Sequence, residues 1–329
     1  MPALLVSHRL HAQRADDIAR RARDAGLDLL VLPEASDARL SDDDCSRVGV
    51  AFFSSDVFPN WSRQFFSAVR KAPELKWLHV FNAGVDHPIY TEMLQRGVRL
   101  TTSAGTAADA IAQTAIAGLL MLGRDMLRWL DAQRRHAWEP RREPDVPADI
   151  RGQTAVIVGI GHIGREIARL AQALGLHVVG VRRGVRGAAD PVDEMVTPAQ
   201  LAEVLPRTDW LIVACPLTEE TRGLVDARLL GCLRPGARVI NIARGEIIDE
   251  AALVEGLRAG RISGAYLDVF QKEPLAPDSP LWDMPNVIVT PHNSPAAAGL
   301  QQRVYEIFVA NLARWHTRQP LVNEIRQEP

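Results

Sequence analysis

A chain of 329 residues, 47% apolar and 24% charged, with a formal net charge of -2, has ordinary globular composition and exceeds the length at which one hydrophobic core stops growing, so two domains are expected. The cations are nearly all arginine, Lys71, Lys76 and Lys272 being the only lysines, and they are scattered among acids, which argues against a nucleic-acid or membrane surface. Cys45, Cys215 and Cys232 have neither metal-ligand spacing nor even pairing, and no leader or membrane-length apolar run is visible, so no metal is expected and the location expected is cytoplasmic.

From the start, short apolar runs alternate with amphipathic stretches: "ALLVS", "LDLLVL", "RVGVAFF", "LKWLHVF" and then "VRLTTS". This is the pattern of a parallel sheet covered on both faces. Residues 107 to 135 predict one long helix, and the proline-rich, charged "EPRREPDVPADIRGQ" predicts a connection. A second series follows, with "TAVIVGI", "HVVGVR", "WLIVAC", "RVINIA", "SGAYLDVF" and "NVIVTPH" as strands. The fold class expected is therefore α/β, two Rossmann-like doubly wound domains in tandem. Val304, Ile307, Phe308, Leu312 and Trp315 lie on one face of a predicted helix near the C-terminus, which must dock, and the first domain is its expected host.

Gly159, Gly161 and Gly164 form G-x-G-x-x-G between a strand and a helix, the context that turns this spacing into a dinucleotide signature. The first glycine permits the tight turn, the second admits a pyrophosphate, and the third lets helix pack on strand. A methyltransferase-type nucleotide fold is the rival reading of the same turn. About 20 residues on, at the end of the second strand, an acid is expected to bond the ribose 2′-hydroxyl, and Arg182 stands there instead, followed by Arg183. A guanidinium cannot accept from a ribose hydroxyl but matches a 2′-phosphate in geometry and charge, so NADP(H) is favoured, with NAD(H) possible.

Three later strands each end in one polar side chain: Arg244 in "INIARGEIIDE", Glu273 in "LDVFQKEPL" and His292 in "VTPHNSP". Reducing a 2-oxo acid needs a cation for the carboxylate and a proton donor at the carbonyl oxygen. Arg244 fits the first task and His292 the second, with Glu273 favouring the imidazolium.

With these residues the sequence closely resembles the D-isomer-specific 2-hydroxyacid dehydrogenases. The likeness also runs through "NAGVDH", "CPLTEETRGLVD", "LRPGARVINIARGEIIDEAALVEGLRAGRISGAYLDVFQKEPL" and "NLARWHTRQPLVNEI". The resemblance implies that Arg244, Glu273 and His292 are catalytic, that the amides of Ala83 and Gly84 bind the substrate carboxylate, and that His162, Ile163, Pro216, Thr221, Ile242, Ala243 and Asp268 join the glycines and arginines around the cofactor. It implies a cofactor domain, residues 103–292, inserted into a substrate domain of 1–102 plus 293–329, and a homodimer through 107–150 in which Trp138 reaches the partner's active site. The cofactor motif is nearest that of the glyoxylate and hydroxypyruvate reductases. Gln113 and Ser294 depart from the family pattern, Ser294 adding a hydroxyl near the nicotinamide. Two alternatives share the scaffold: a non-catalytic nucleotide-sensing protein of the corepressor kind, and a dehydrogenase of formate or phosphite.

Overall fold

Among the described residues, 1–35, 37–184 and 186–325 of the computed structural model, runs of Val, Leu, Ile and Phe form twelve strands that separate into two sheets. The first sheet holds β1 (Ala3–Val6), β2 (Asp28–Val31), β3 (Val48–Phe53), β4 (Trp77–Val80) and β5 (Arg99–Thr102), in the order β2-β1-β3-β4-β5. Every pairing is parallel. In β1, β3 and β4 each residue is buried, which is why β1 and β3 carry no polar side chain and only His79 interrupts β4.

Helix Leu300–His316 completes this sheet's core. Val304, Tyr305, Phe308 and Leu312 pack in one cluster with Leu4, Val6, Phe52 and Trp77, and Phe308 stacks on Phe52 with centroids 4.2 Å apart. Tyr305, outside the predicted stripe, is buried in the same cluster with its hydroxyl donating to Asp17 Oδ2 at 2.7 Å, while Ile307 is only half-buried.

Beneath the same helix lies an enclosed histidine. His79 Nδ1 meets Thr101 Oγ1 at 2.7 Å and its Nε2 meets Ser103 Oγ at 3.1 Å, while Trp77 Nε1 donates to Thr101 Oγ1 at 2.8 Å. Burial pushes the His79 pKa down from 6.5 to about 3. The folded form therefore stays neutral where the unfolded chain binds a proton, so the stability from this group is intact above the unfolded pKa and declines as pH falls from 6.5 toward 3. The expected slope is about 1.4 kcal/mol per pH unit within that window. Urea unfolding of His79→Gln beside the parent at pH 7, 6 and 5 checks it: the variant's stability should fall less steeply, and parallel curves would remove His79 from the account.

The second sheet holds β6 (Thr154–Val158), β7 (His177–Val181), β8 (Glu194–Val196), β9 (Trp210–Val213), β10 (Ala237–Asn241), β11 (Ile262–Leu267) and β12 (Val287–Val289). Read from one edge the order is β8-β7-β6-β9-β10-β11-β12, again all parallel. The winding reverses between β6 and β9, and in such sheets ligands bind at that point, beyond the carboxyl ends of the strands. β8 was not predicted.

The single helix expected over 107–135 is instead two helices, Ala108–Gly123 and Met126–Arg134, bent by 74°. Asp125 breaks the run in a left-handed conformation, φ 56°. A Cβ on Gly123 would stand 2.9 Å from Ile150 Cγ2 and 3.3 Å from the Trp210 ring, so the first helix ends tight against the sheet.

By its contacts the chain divides into Met1–Thr106 with Ala298–Pro329, and Ala107–Ala297. The divisions fall a few residues beyond 102/103 and 292/293 because side chains hold both edges. Ser103 donates to Val80 O at 3.1 Å, and Asn293 and Ser294 are tied to Asp268.

Candidate active site

The glycine turn follows β6 and opens helix His162–Ala173. Gly159 has φ 103°, and a Cβ there would lie 2.6 Å from the backbone of Cys215, just past β9. A Cβ at Gly164 would come within 1.9 Å of Gly159 O. Both glycines are thus demanded by the protein's own packing. Gly161 is not: a Cβ on it would meet nothing within 4 Å. Open space beside the second glycine, at the N-terminus of a twelve-residue helix, is what a pyrophosphate requires, so these residues fit a dinucleotide. His162 is exposed there and Ile163 is half-buried against the sheet's core.

Past β7, Arg182 is half-buried and Arg183 exposed. Arg182 Nη2 donates to Asp190 Oδ2 at 2.9 Å, and Arg165 Nε donates to the other oxygen, Oδ1, at 2.8 Å. The sequence reading missed both partners. Asp190 stands alone in a loop eight residues beyond Arg182, with no spacing to mark it.

Past β9, Cys215 is buried and its thiol is pushed up to about 11 by that burial, so it is no nucleophile at neutral pH. Pro216 beside it is exposed. Thr221, expected at the cofactor, spends its hydroxyl within the loop, donating to Pro216 O at 2.7 Å and accepting from Thr218 N at 2.7 Å. Its observed part is to shape that loop.

Three adjacent strands present the chemistry. β10 ends at Asn241, whose side chain accepts from Ala243 N at 3.1 Å and donates to Arg244 O at 3.0 Å, fixing the turn that carries Ile242, Ala243 and Arg244. Arg244 Nη1 donates to Ala243 O at 2.7 Å. Behind it, a Cβ on Gly245 would stand 1.8 Å from Phe270 C, so this turn lies directly on the loop after β11. In that loop Glu273 Oε1 accepts from Phe270 N at 3.1 Å, and its Oε2 lies 2.8 Å from His292 Nδ1. The structure thus brings Glu273 and His292 into contact and sets Arg244 one strand over.

His292 itself sits at φ 51°, a left-handed conformation uncommon outside glycine. Asp268, almost fully buried at the end of β11, holds it there. The backbone oxygen of Asp268 accepts from His292 N at 2.8 Å. Its carboxylate accepts from Thr290 Oγ1 at 2.6 Å, Asn293 N at 2.9 Å and Ser294 N at 3.1 Å. The side chain of Asp268, a residue expected to line the cofactor, is engaged in building the histidine loop. Ser294 is likewise buried and held by its own amide.

In the first unit, Ala83 and Gly84 follow β4 in a turn closed by Asn82, whose side-chain amide donates to Gly84 O and whose Oδ1 accepts from Tyr90 OH at 3.1 Å. Trp138 is 96% exposed and Gln113 is exposed on its helix.

A family model described as D-isomer specific 2-hydroxyacid dehydrogenase, NAD binding domain, matches residues 116–294. The chain is 31% identical over 243 residues to the glyoxylate reductase of Thermofilum pendens, an alignment spanning 73% of this chain and 72% of that one. Among solved structures, the D-isomer specific 2-hydroxyacid dehydrogenase family protein of Aeromonas salmonicida superimposes with TM-score 0.80 at 30% identity, covering 99% of this chain and 98% of that one. The NADPH-dependent glyoxylate/hydroxypyruvate reductase of Sinorhizobium meliloti, solved with NADP and sulfate, superimposes with TM-score 0.76 at 28% identity, covering 98% of each chain.

Proposed function

Since the chain belongs to the D-isomer-specific 2-hydroxyacid dehydrogenase family and is an oxidoreductase, we propose that it reduces a small 2-oxo acid of the glyoxylate or hydroxypyruvate kind to its 2-hydroxy acid, with NADPH preferred over NADH. The observation that carries the chemistry is the 2.8 Å contact between His292 Nδ1 and Glu273 Oε2. With Nδ1 committed to the carboxylate, Nε2 is the nitrogen left to give a proton, and it makes no bond to the described residues. When bound, the reduced nicotinamide supplies the hydride. His292 delivers the proton to the substrate oxygen, and Glu273 holds the ring's orientation and stabilises its protonated form. Arg244 takes the substrate carboxylate through paired hydrogen bonds and polarises the neighbouring carbonyl.

The cofactor preference is supported by Arg182 at the end of β7, where an NAD-type site places an acid. The proposal includes a homodimer through 107–150. An indole 96% exposed at Trp138 supports it, since so large an apolar surface is rarely left to water.

The test measures kcat/KM for NADPH and NADH with glyoxylate, hydroxypyruvate, pyruvate and phenylpyruvate. The expected result is turnover with the smaller acids and a preference for NADPH of about tenfold or more, the worth of one charge-assisted contact. A preference for NADH overturns the cofactor assignment. Tight NADPH binding with no turnover on any acid moves the protein to the nucleotide-sensing reading.

A further inference from the structure

Asp190 is a covered carboxylate between two arginines, in a loop to which the reductase chemistry gives no role. Its side chain is 1% exposed, whereas Arg182 is 24% exposed and Arg165 46%. The acid therefore lies behind the guanidiniums, and the face offered to solvent is cationic. Its own position is fixed from several sides. Gly187 N donates to Asp190 Oδ2 at 2.6 Å, and Asp190 N donates to Gly187 O at 3.1 Å. Val192 N donates to Asp190 O at 2.9 Å, and Val192 is buried in the sheet's core, 3.1 Å from where a Cβ on Gly180 in β7 would stand.

The place matters as much as the charge. Arg165 is in the first turns of the helix that opens at the glycine turn, and Arg182 is the first residue past β7. β6 and β7 are neighbours with Val158 opposite Val181, so the two arginines flank the side of the turn where a dinucleotide's adenosine ribose belongs. Holding two guanidiniums on one carboxylate sets like charges side by side, and Asp190 offsets only one of them. Arg165, Arg182 and Asp190 together carry a formal charge of +1, against a phosphate monoester near -2 at pH 7.

We propose that Arg165 is a second ligand of the adenosine 2′-phosphate and that Asp190 is the positioning residue holding Arg165 and Arg182 at the spacing that phosphate needs. The proposal rests on the NADPH reading and deepens it. Asp190 does not stand in for the missing ribose acceptor, because its oxygens are covered and already bonded. The Arg165 hydrogen bond also keeps the Asp190 carboxyl below its usual range, so the latch remains charged at neutral pH.

The probes are adenosine 2′,5′-bisphosphate and adenosine 5′-monophosphate, titrated calorimetrically into the full chain. Arg165→Met and Asp190→Asn are each expected to weaken the bisphosphate about tenfold and leave the monophosphate unchanged. Asp190→Asn is the sharper arm, because removing a negative charge without a positioning role should tighten an anion. Tighter or unchanged bisphosphate binding in that variant overturns the role of Asp190, and equal weakening of both probes does so too by showing collapse of the loop. Arg165 lies exposed on a helix, so its variant keeps the test alive if Asp190→Asn fails to fold. If Arg182→Met alone loses the bisphosphate, the NADPH reading stands and this inference falls. If the parent protein does not distinguish the two probes, the NADPH reading itself falls.

Discussion

Replacing His292 with alanine is expected to lower kcat by about 10²- to 10⁴-fold, the range for losing a positioned proton donor, and to leave NADPH affinity nearly unchanged. The separation follows from the geometry. His292 stands past β12 against Glu273, whereas the glycine turn and the two arginines lie past β6 and β7, on the other side of the point where the winding reverses. Alanine at φ 51° is strained, so His292→Asn serves as the companion, asparagine being at ease in that conformation. Both variants should lose turnover alike. Turnover kept within a few-fold of the parent in the asparagine variant would place the proton donor elsewhere.

Asp268→Ala is expected to destabilise the protein by about 2 kcal/mol and to remove most activity from whatever remains folded. The carboxylate serves three donors, Thr290 Oγ1 and the amides of Asn293 and Ser294. Taking it away strands the buried amide of Ser294 at a cost of about 1 to 3 kcal/mol, whereas the Thr290 hydroxyl keeps Tyr266 OH at 2.8 Å and Asn293 is open to water. It also frees the segment that holds His292 at φ 51°. Urea unfolding and kcat on the same preparation check both halves. A loss below about 1 kcal/mol with unaltered kcat would refute the scaffold role, since stranding the buried Ser294 amide costs at least that much.

Much of this was legible in the residues, and the parts that were not share a cause. Gly159 and Gly164 could be read because backbone approach admits no side chain at either, and the Glu273–His292 contact because the two residues follow apolar strands that pair side by side. Family membership and the doubly wound fold follow from such local features. β8 escaped because three residues, Glu194–Val196, are too few for a period, and the bend at Asp125 because a left-handed aspartate carries no proline to announce it. Asp190, and the scaffold role of Asp268, were invisible for another reason. Their importance lies in partners 8 to 26 residues away that only the folded chain brings near.

The helix Leu300–His316 belongs to the same core as β1, although nearly the whole chain separates them. During synthesis all five strands of the first sheet are made before the second sheet, yet the first core can close only after the whole second unit has been made. Until that helix emerges, the faces of Leu4, Val6, Phe52 and Trp77 that it covers stand open to water and to one another. A nascent chain stalled at residue 297 would already hold every strand of the second unit, with an unsealed first sheet at its leading end. The exposure of that sheet thus persists until late in translation, and the helix that ends it bears none of the residues proposed for the chemistry.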